Sequence, residues 1–425
     1  MSTTKTIQGQ YYNMKWSRDN LFKITPLTTP ATVKIFYVPE NQDLNYYLAA
    51  GCRATIYKST DMKNWTEVPF KDKNYNFLDN KYITINEPTY FKLDCADENN
   101  NPIFGIWTVK TENNHTTKRL QRLTINCTED YTISGSLRGL VGGFPVVSNY
   151  YYYDGNRRDG FSGGAFEGAF AGDTHLVDAS NLNMWFDEFD ANYTGTVPDV
   201  RCYFKDMFKG CTGLVTGPTV YLPRHSDDTE LTVNKIVTKL DSSCESMFEG
   251  CSSLTSIGGL PNPYVGKATY KRMFTDCTSL NVCPALPAVF CKYERYNAQH
   301  TLMDSLVPID IYLQMFKNCT SLRQIPELPS TWLTKNCYAQ MFSGIPNIYY
   351  GTDPLYAYPF RIPTTGTAVL DPGAESTDEE WTENYNYPTY EMFSIYDEVQ
   401  QAYTRKGTLD INTQYYTSAR VISAE

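Results

Sequence analysis

Histidine is scarce in this 425-residue chain, and His115, His175, His225 and His300 each stand alone. A His-built metal site is therefore not expected, and a His-dependent catalytic centre has few candidates. None of the twelve cysteines forms a C-x-x-C pair, which removes the usual zinc and thioredoxin-type patterns. No run approaches the ~20 apolar residues that a membrane-spanning helix needs. Positive charge is also short: 37 Lys and Arg face 47 Asp and Glu, for a net charge of -10. No basic run is longer than a pair, as at Lys118-Arg119 and Arg157-Arg158, so neither nucleic acid nor a membrane is expected as a partner. The glycines between Ile133 and Gly143 lack G-x-x-x-x-G-K-[ST] and are not a nucleotide loop. The first twenty residues, MSTTKTIQGQYYNMKWSRDN, hold no basic n-region followed by an apolar h-region. A cleaved export signal is thus not expected, and the thiols are expected to be reduced.

What is present is a globular composition, 41% hydrophobic and 14% aromatic with 34 tyrosines. The length suggests about two to four domains. The strongest signal is internal repetition. Four segments read Met-Phe-x-x-Cys-x-x-Leu, anchored at Phe208, Cys211 and Leu214, at Phe248, Cys251 and Leu254, at Phe274, Cys277 and Leu280, and at Phe316, Cys319 and Leu322. A fifth, at Met341-Phe342, replaces Cys and Leu by Ile345 and Ile348, and Ala169-Phe170-Ala-Gly-Asp173-Thr-His-Leu176 is a weakened first copy. Leu254-x-x-Ile257-x-x-Leu260-Pro261 and its counterparts at Leu280 and Leu322 add a second apolar block to the unit.

Phe248 to Phe274 and Phe316 to Phe342 are both 26 residues apart, within the 20–29 of leucine-rich repeats. One such unit cannot bury its own apolar side chains, so neighbours are expected to stack as a solenoid over 136–350. Met-Phe is expected on a short inward-facing helical turn, and the four motif cysteines as a column of small buried thiols. Phe208 to Phe248 is 40 residues and Phe274 to Phe316 is 42, leaving insertions at about Arg224 to Val237 and Lys292 to Asp310. Insertions at one place in a repeat project from one face. The candidate recognition residues are therefore His225, Asp227 and Asp228 in the first insertion, and Tyr293, Arg295, Tyr296 and His300 in the second. Tolerated surface loops are the plainer alternative.

Residues 1–30 read as an N-terminal arm. From 31 to 135, alternating runs such as Val33-x-Ile35-x-Tyr37, Phe91-x-Leu93-x-Cys95 and Leu123-x-Ile125-x-Cys127 have the period of half-buried strands. They suggest a β-sandwich of immunoglobulin type. Residues 351–425 read as a cap over the open end of the stack, with a helix over Met392 to Tyr403. The fold class expected is thus α+β: sandwich, irregular solenoid, C-terminal cap.

The repeat unit resembles the BspA-type leucine-rich repeat, as in Cys337-Tyr-Ala-Gln-Met341-Phe342. Ile125-Asn-Cys127 through Ile133-Ser-Gly135-Ser-Leu137 is similar to the segment before the repeats in such proteins from gut Bacteroidetes and their phages. Ile56-Tyr57-Lys-Ser-Thr60-Asp61-x-x-x-Trp65 resembles their N-terminal β-domain, and Gly407-Thr408-Leu409 their closing Gly-Thr-Phe. The resemblance covers most of 30–425 and implies adhesion or assembly rather than catalysis. Bacterial members usually carry an export signal or anchor. The expectation is therefore a structural or attachment protein of a tailed, crAss-like phage: a head fibre, tail fibre or decoration. It would assemble in the host cytoplasm, localise to the virion, bind other virion proteins and host capsular polysaccharide, and form a homo-oligomer. No cofactor is expected. The alternatives are a bacterial surface adhesin and, more remotely, a glycan-cleaving enzyme using Asp187, Glu188, Asp190 or Asp378 to Glu380.

Overall fold

The computed structural model describes residues 21–35, 55–68, 82–94, 123–140, 164, 166–186, 201–223, 240–262, 264–287, 309–323, 326 and 336–345 with their side chains, and elsewhere only the backbone of short strands. Within these residues the chain is built almost wholly of strands and turns. The helical half of the expected α+β class is not present there. The helical segment that occurs is the single 3-10 turn Leu137–Leu140. The helix expected over Met392 to Tyr403 is replaced by an antiparallel pair, Ile395–Asp397 with Ala402–Thr404.

An eight-stranded sheet organises the molecule. Its antiparallel part comprises Phe22–Pro26, Arg53–Ser59, Thr66–Val68, Thr89–Ala96 and Tyr131–Ser136. Alternation puts Phe22, Ile24, Ile56, Phe91, Leu93, Tyr131 and Ile133 inward and leaves Lys23, Tyr90 and Lys92 on the other face. A second sheet, Ala31–Phe36 between Tyr82–Ile85 and Thr124–Cys127, adds Val33, Ile35, Ile83 and Ile125 to the same core. The sheet thus begins at Phe22, upstream of residue 31. It also runs past residue 135: Tyr131–Ser136 pairs in parallel with Leu176–Asn183, which continues in parallel through Thr216–Thr219 to Ser256–Gly259.

These last three strands belong to successive repeat units, and the Met-Phe segments stack beside them. The expected helical turn is instead a chain of reverse turns, because every fourth residue has a positive φ. In one unit these are Cys202, Asp206 and Gly210; in the next, Ser242, Ser246 and Gly250. Alternate amides close turns within the unit, as Met207 N–H donates to Phe204 O and Cys211 N–H to Phe208 O. The intervening amides point along the stack. Phe170, Phe208, Phe248, Phe274 and Phe316 each donate N–H to the Met carbonyl of the next unit, at 2.8–2.9 Å. A right-handed α-helix has no place for a left-handed residue at every fourth position.

The phenylalanine rings form one column. From Phe170 through Phe208, Phe248, Phe274 and Phe316 to Phe342, adjacent centroids lie 5.2, 5.3, 5.5, 5.5 and 5.7 Å apart with interplanar angles of 1° to 11°. The spacing is the same whether 26 or 42 residues of chain separate the rings, so the extra residues do not alter the ring column. Four residues earlier runs a second column of Phe166, Phe204, Cys244, Tyr270, Tyr312 and Tyr338, all buried. Its tyrosine rings stack at 5.9 and 5.6 Å.

The residue before each motif cysteine, or its equivalent, is Gly172, Gly210, Gly250, Asp276, Asn318 or Gly344, with φ between 61° and 77°. Only glycine, asparagine and aspartate adopt that conformation readily. At Gly210 an added Cβ would meet nothing closer than Gly172 Cα at 3.7 Å, so there is room and the cost is conformational alone. We expect Gly210→Ala to lose about 1–2 kcal/mol in urea unfolding. Phe248→Ala, which opens a cavity in the column, should lose about 3–5 kcal/mol. Equal losses would mean that φ is not what selects glycine there.

Candidate functional site

The structure places the repeat residues and the insertion residues very differently. Phe208, Cys211, Leu214, Phe248, Cys251, Leu254, Phe274, Cys277, Leu280, Phe316, Cys319, Leu322 and Phe342 are all buried in one continuous core. His225, Asp227, Asp228 and His300, with the acids Asp187, Glu188, Asp190 and Asp378 to Glu380, lie outside the described residues. Tyr293, Arg295 and Tyr296 fall on a strand, Tyr293–Tyr296, paired antiparallel with Leu302–Leu306; only its backbone is described.

The motif cysteines have a structural task. Each Sγ–H donates to the phenylalanine carbonyl of the preceding unit: Cys211 to Phe170 O at 2.9 Å, Cys251 to Phe208 O at 2.9 Å, Cys277 to Phe248 O and Cys319 to Phe274 O at 3.0 Å. Burial pushes all four thiols well above the ordinary thiol value, and chiefly burial lifts Cys202 to about 12. A thiol held protonated is neither nucleophile nor metal ligand. The nine described cysteines are all free, and among the described residues no group of three or more His, Cys, Asp or Glu is arranged to hold a metal.

The first unit has Asp173 where later units have cysteine, and it has no preceding unit to bond to. Its carboxylate reaches the sheet instead. Oδ2 accepts the Tyr131 hydroxyl at 2.8 Å and the Cys127 N–H at 3.2 Å, while Oδ1 accepts the His175 N–H at 2.9 Å. Burial is the largest influence and raises its pKa, and these hydrogen bonds only partly offset it. Asp173 therefore joins the repeat stack to the β-sheet, a role hidden in sequence by its reading as a weakened cysteine position.

Charged side chains on the outer surface of the turns pair between units. Glu245 sits between Lys205 at 3.2 Å and Lys271 at 3.4 Å. Glu249 likewise sits between Lys209 at 3.4 Å and Arg272 at 2.7 Å. Burial would raise the Glu245 carboxyl, but the two lysines outweigh it and hold it below its usual value. The ladder thus pairs each of these carboxylates with a cation from both neighbouring units.

A polar groove of about 530 Å³ opens on the outer face of the eight-stranded sheet, where antiparallel pairing gives way to parallel pairing. Register brings Tyr90, Lys23, Ser134 and Asn181 side by side on four strands. Pairing between Tyr131–Ser136 and Leu176–Asn183 is irregular from Tyr131 to Ser134, and the left-handed Gly135 lets the Leu21 carbonyl pack where a Cβ would stand. Asp178 in this groove accepts the Ser180 N–H at 2.9 Å, the Ser180 hydroxyl at 3.2 Å and the Thr216 hydroxyl. Burial opposes its ionisation, yet the bonds from Thr216 and Ser180 prevail and lower its pKa. No motif marks these residues, which lie up to 160 positions apart and meet only through strand pairing.

Compared with protein-family models, with curated proteins and with solved structures, the chain finds no match in any of the three.

Two outcomes test these assignments. Alkylation at pH 8 followed by mass spectrometry should leave Cys211, Cys251, Cys277 and Cys319 unmodified in the native protein and modify them in denaturant; rapid native labelling would contradict their burial. Asp173, with a raised folded pKa, contributes stability that is present below the ordinary carboxylate value and lost as pH rises through the folded one. Relative to Asp173→Asn, the wild type should gain stability in urea as pH falls from 7 to 4.5. A pH-independent difference would contradict the assignment.

Proposed function

We propose that the chain is an irregular BspA-type leucine-rich-repeat protein carried on an immunoglobulin-like β-sandwich. In this reading it serves as a non-enzymatic structural and attachment component on the surface of a tailed-phage virion. The observation that carries the scaffold reading is the phenylalanine column, whose ring spacing does not change when 14 or 16 residues are inserted between units. A stack that ignores its insertions is suited to displaying them, and the chemistry-bearing motif cysteines are used inside it for packing. The phage assignment rests on the resemblance of the repeat, of the Ile125 to Leu137 lead-in and of the Ile56 to Trp65 stretch. The partners would be capsid or tail proteins and host capsular polysaccharide, engaged by a symmetric homo-oligomer.

The same resemblance supports a second reading, a cell-surface adhesin of the bacterial host. Purified virions distinguish the two. Mass spectrometry should detect this chain at stoichiometric level in particles, and its absence there, with presence on host cells, would support the adhesin. Incubation with capsular polysaccharide should release no reducing ends; their appearance would overturn the non-enzymatic assignment.

A further inference from the structure

The groove on the eight-stranded sheet contains none of the insertion residues among its lining and is used by none of the packing described above. We infer that the groove lined by Lys23, Tyr90, Ser134, Asp178 and Asn181 binds a neutral oligosaccharide. This deepens the attachment reading and rests on it. At about 530 Å³ the cavity has the size of small-ligand sites, but its lining is polar where most such sites are apolar. The side chains alternate in kind: a cation at Lys23, hydroxyls at Thr132 and Ser134, a carboxylate at Asp178 and amides at Asn181 and Asn183. Each sugar hydroxyl both donates and accepts, so a run of vicinal hydroxyls matches a lining that offers both functions side by side.

Two details favour this class over other polar ligands. Asp178 is held in place by Ser180 and Thr216 before any ligand arrives, which lowers the cost of ordering the site on binding. Its oxygens are acceptors, which suits hydroxyl donors and repels phosphate, sulfate and uronate groups. Asn183 accepts the Trp185 N–H at 2.8 Å through Oδ1, which leaves its Nδ2 to donate. Tyr90 supplies ring surface of the kind that packs on sugar C–H faces, with Lys23 Nζ 5.4 Å from its centroid. The groove lies where the sheet of the β-domain passes into the strands of the repeats, a junction of the sort where binding sites concentrate.

The test uses the whole chain on an array of neutral and uronate-containing oligosaccharides, followed by calorimetry with the strongest neutral binder. Asn181 is exposed, so Asn181→Trp should fill the groove without unfolding the protein. It should weaken binding at least tenfold with an unchanged unfolding midpoint, and Lys23→Ala should weaken it severalfold. Absence of neutral binders from the array would overturn the inference, as would binding that survives Asn181→Trp or prefers the uronates. A chain found in virions that binds no neutral glycan would remove this site and leave the virion reading intact. Groove-dependent binding by a chain absent from virions would do the reverse.

Discussion

Half of the backbone amides in the turn segments cannot be satisfied by their own unit. Positive φ at every fourth residue turns alternate N–H groups along the stack, where the one acceptor within reach is the carbonyl of the next unit. A buried amide without a partner costs about 1–3 kcal/mol, so no unit is stable apart from its neighbours. The same spacing that lets Phe208 N–H reach Met247 O sets the phenylalanine rings 5.2–5.7 Å apart, within the range of favourable offset stacking. Hydrogen bonding and ring packing thus enforce a single repeat distance, the same across 26, 40 and 42 residues of chain.

Such a stack has a beginning, and the β-domain supplies it. Tyr131–Ser136 offers a parallel edge to Leu176–Asn183, and Asp173 takes the place of cysteine to accept Tyr131 and Cys127. The Ile125 N–H also donates to Ala169 O at 2.7 Å. The division expected at residue 135 is therefore bridged by a continuous sheet and a shared core. The polar groove is a by-product of this join, since the parallel strand enters out of regular register.

The repeat and its buried positions were legible because one pattern recurs: Met, Phe, Cys and Leu face the core in the four complete copies. The alternating strands from Val33 to Cys127 were legible for the same reason at period two. Helix was a wrong expectation for the Met-Phe segment. The signal against it was present in Gly210, Gly250, Asp276, Asn318 and Gly344, the left-handed-tolerant residues before the cysteine position. It was obscured by Ser246, Arg272 and Gln314, which adopt positive φ under the constraint of the stack although their side chains do not favour it. Asp173 stands at the cysteine position of the weakened first copy, but its carboxylate accepts hydrogen bonds from the sheet where the thiols donate along the stack, a role the repeat pattern does not show. The groove left no trace in sequence, since residues 23, 90, 134 and 181 are neighbours only through register.

The sheet and the repeat stack, joined at Asp173 and held by amides that only a neighbour can satisfy, should open as one cooperative unit in native-state hydrogen exchange. The amides of Phe170, Phe208, Phe248, Phe274 and Phe316 should then exchange with the same opening free energy as those of Phe22 and Ile133 in the sheet. Stack amides that open several kcal/mol more easily than the sheet, or in a gradient along the repeats, would contradict it.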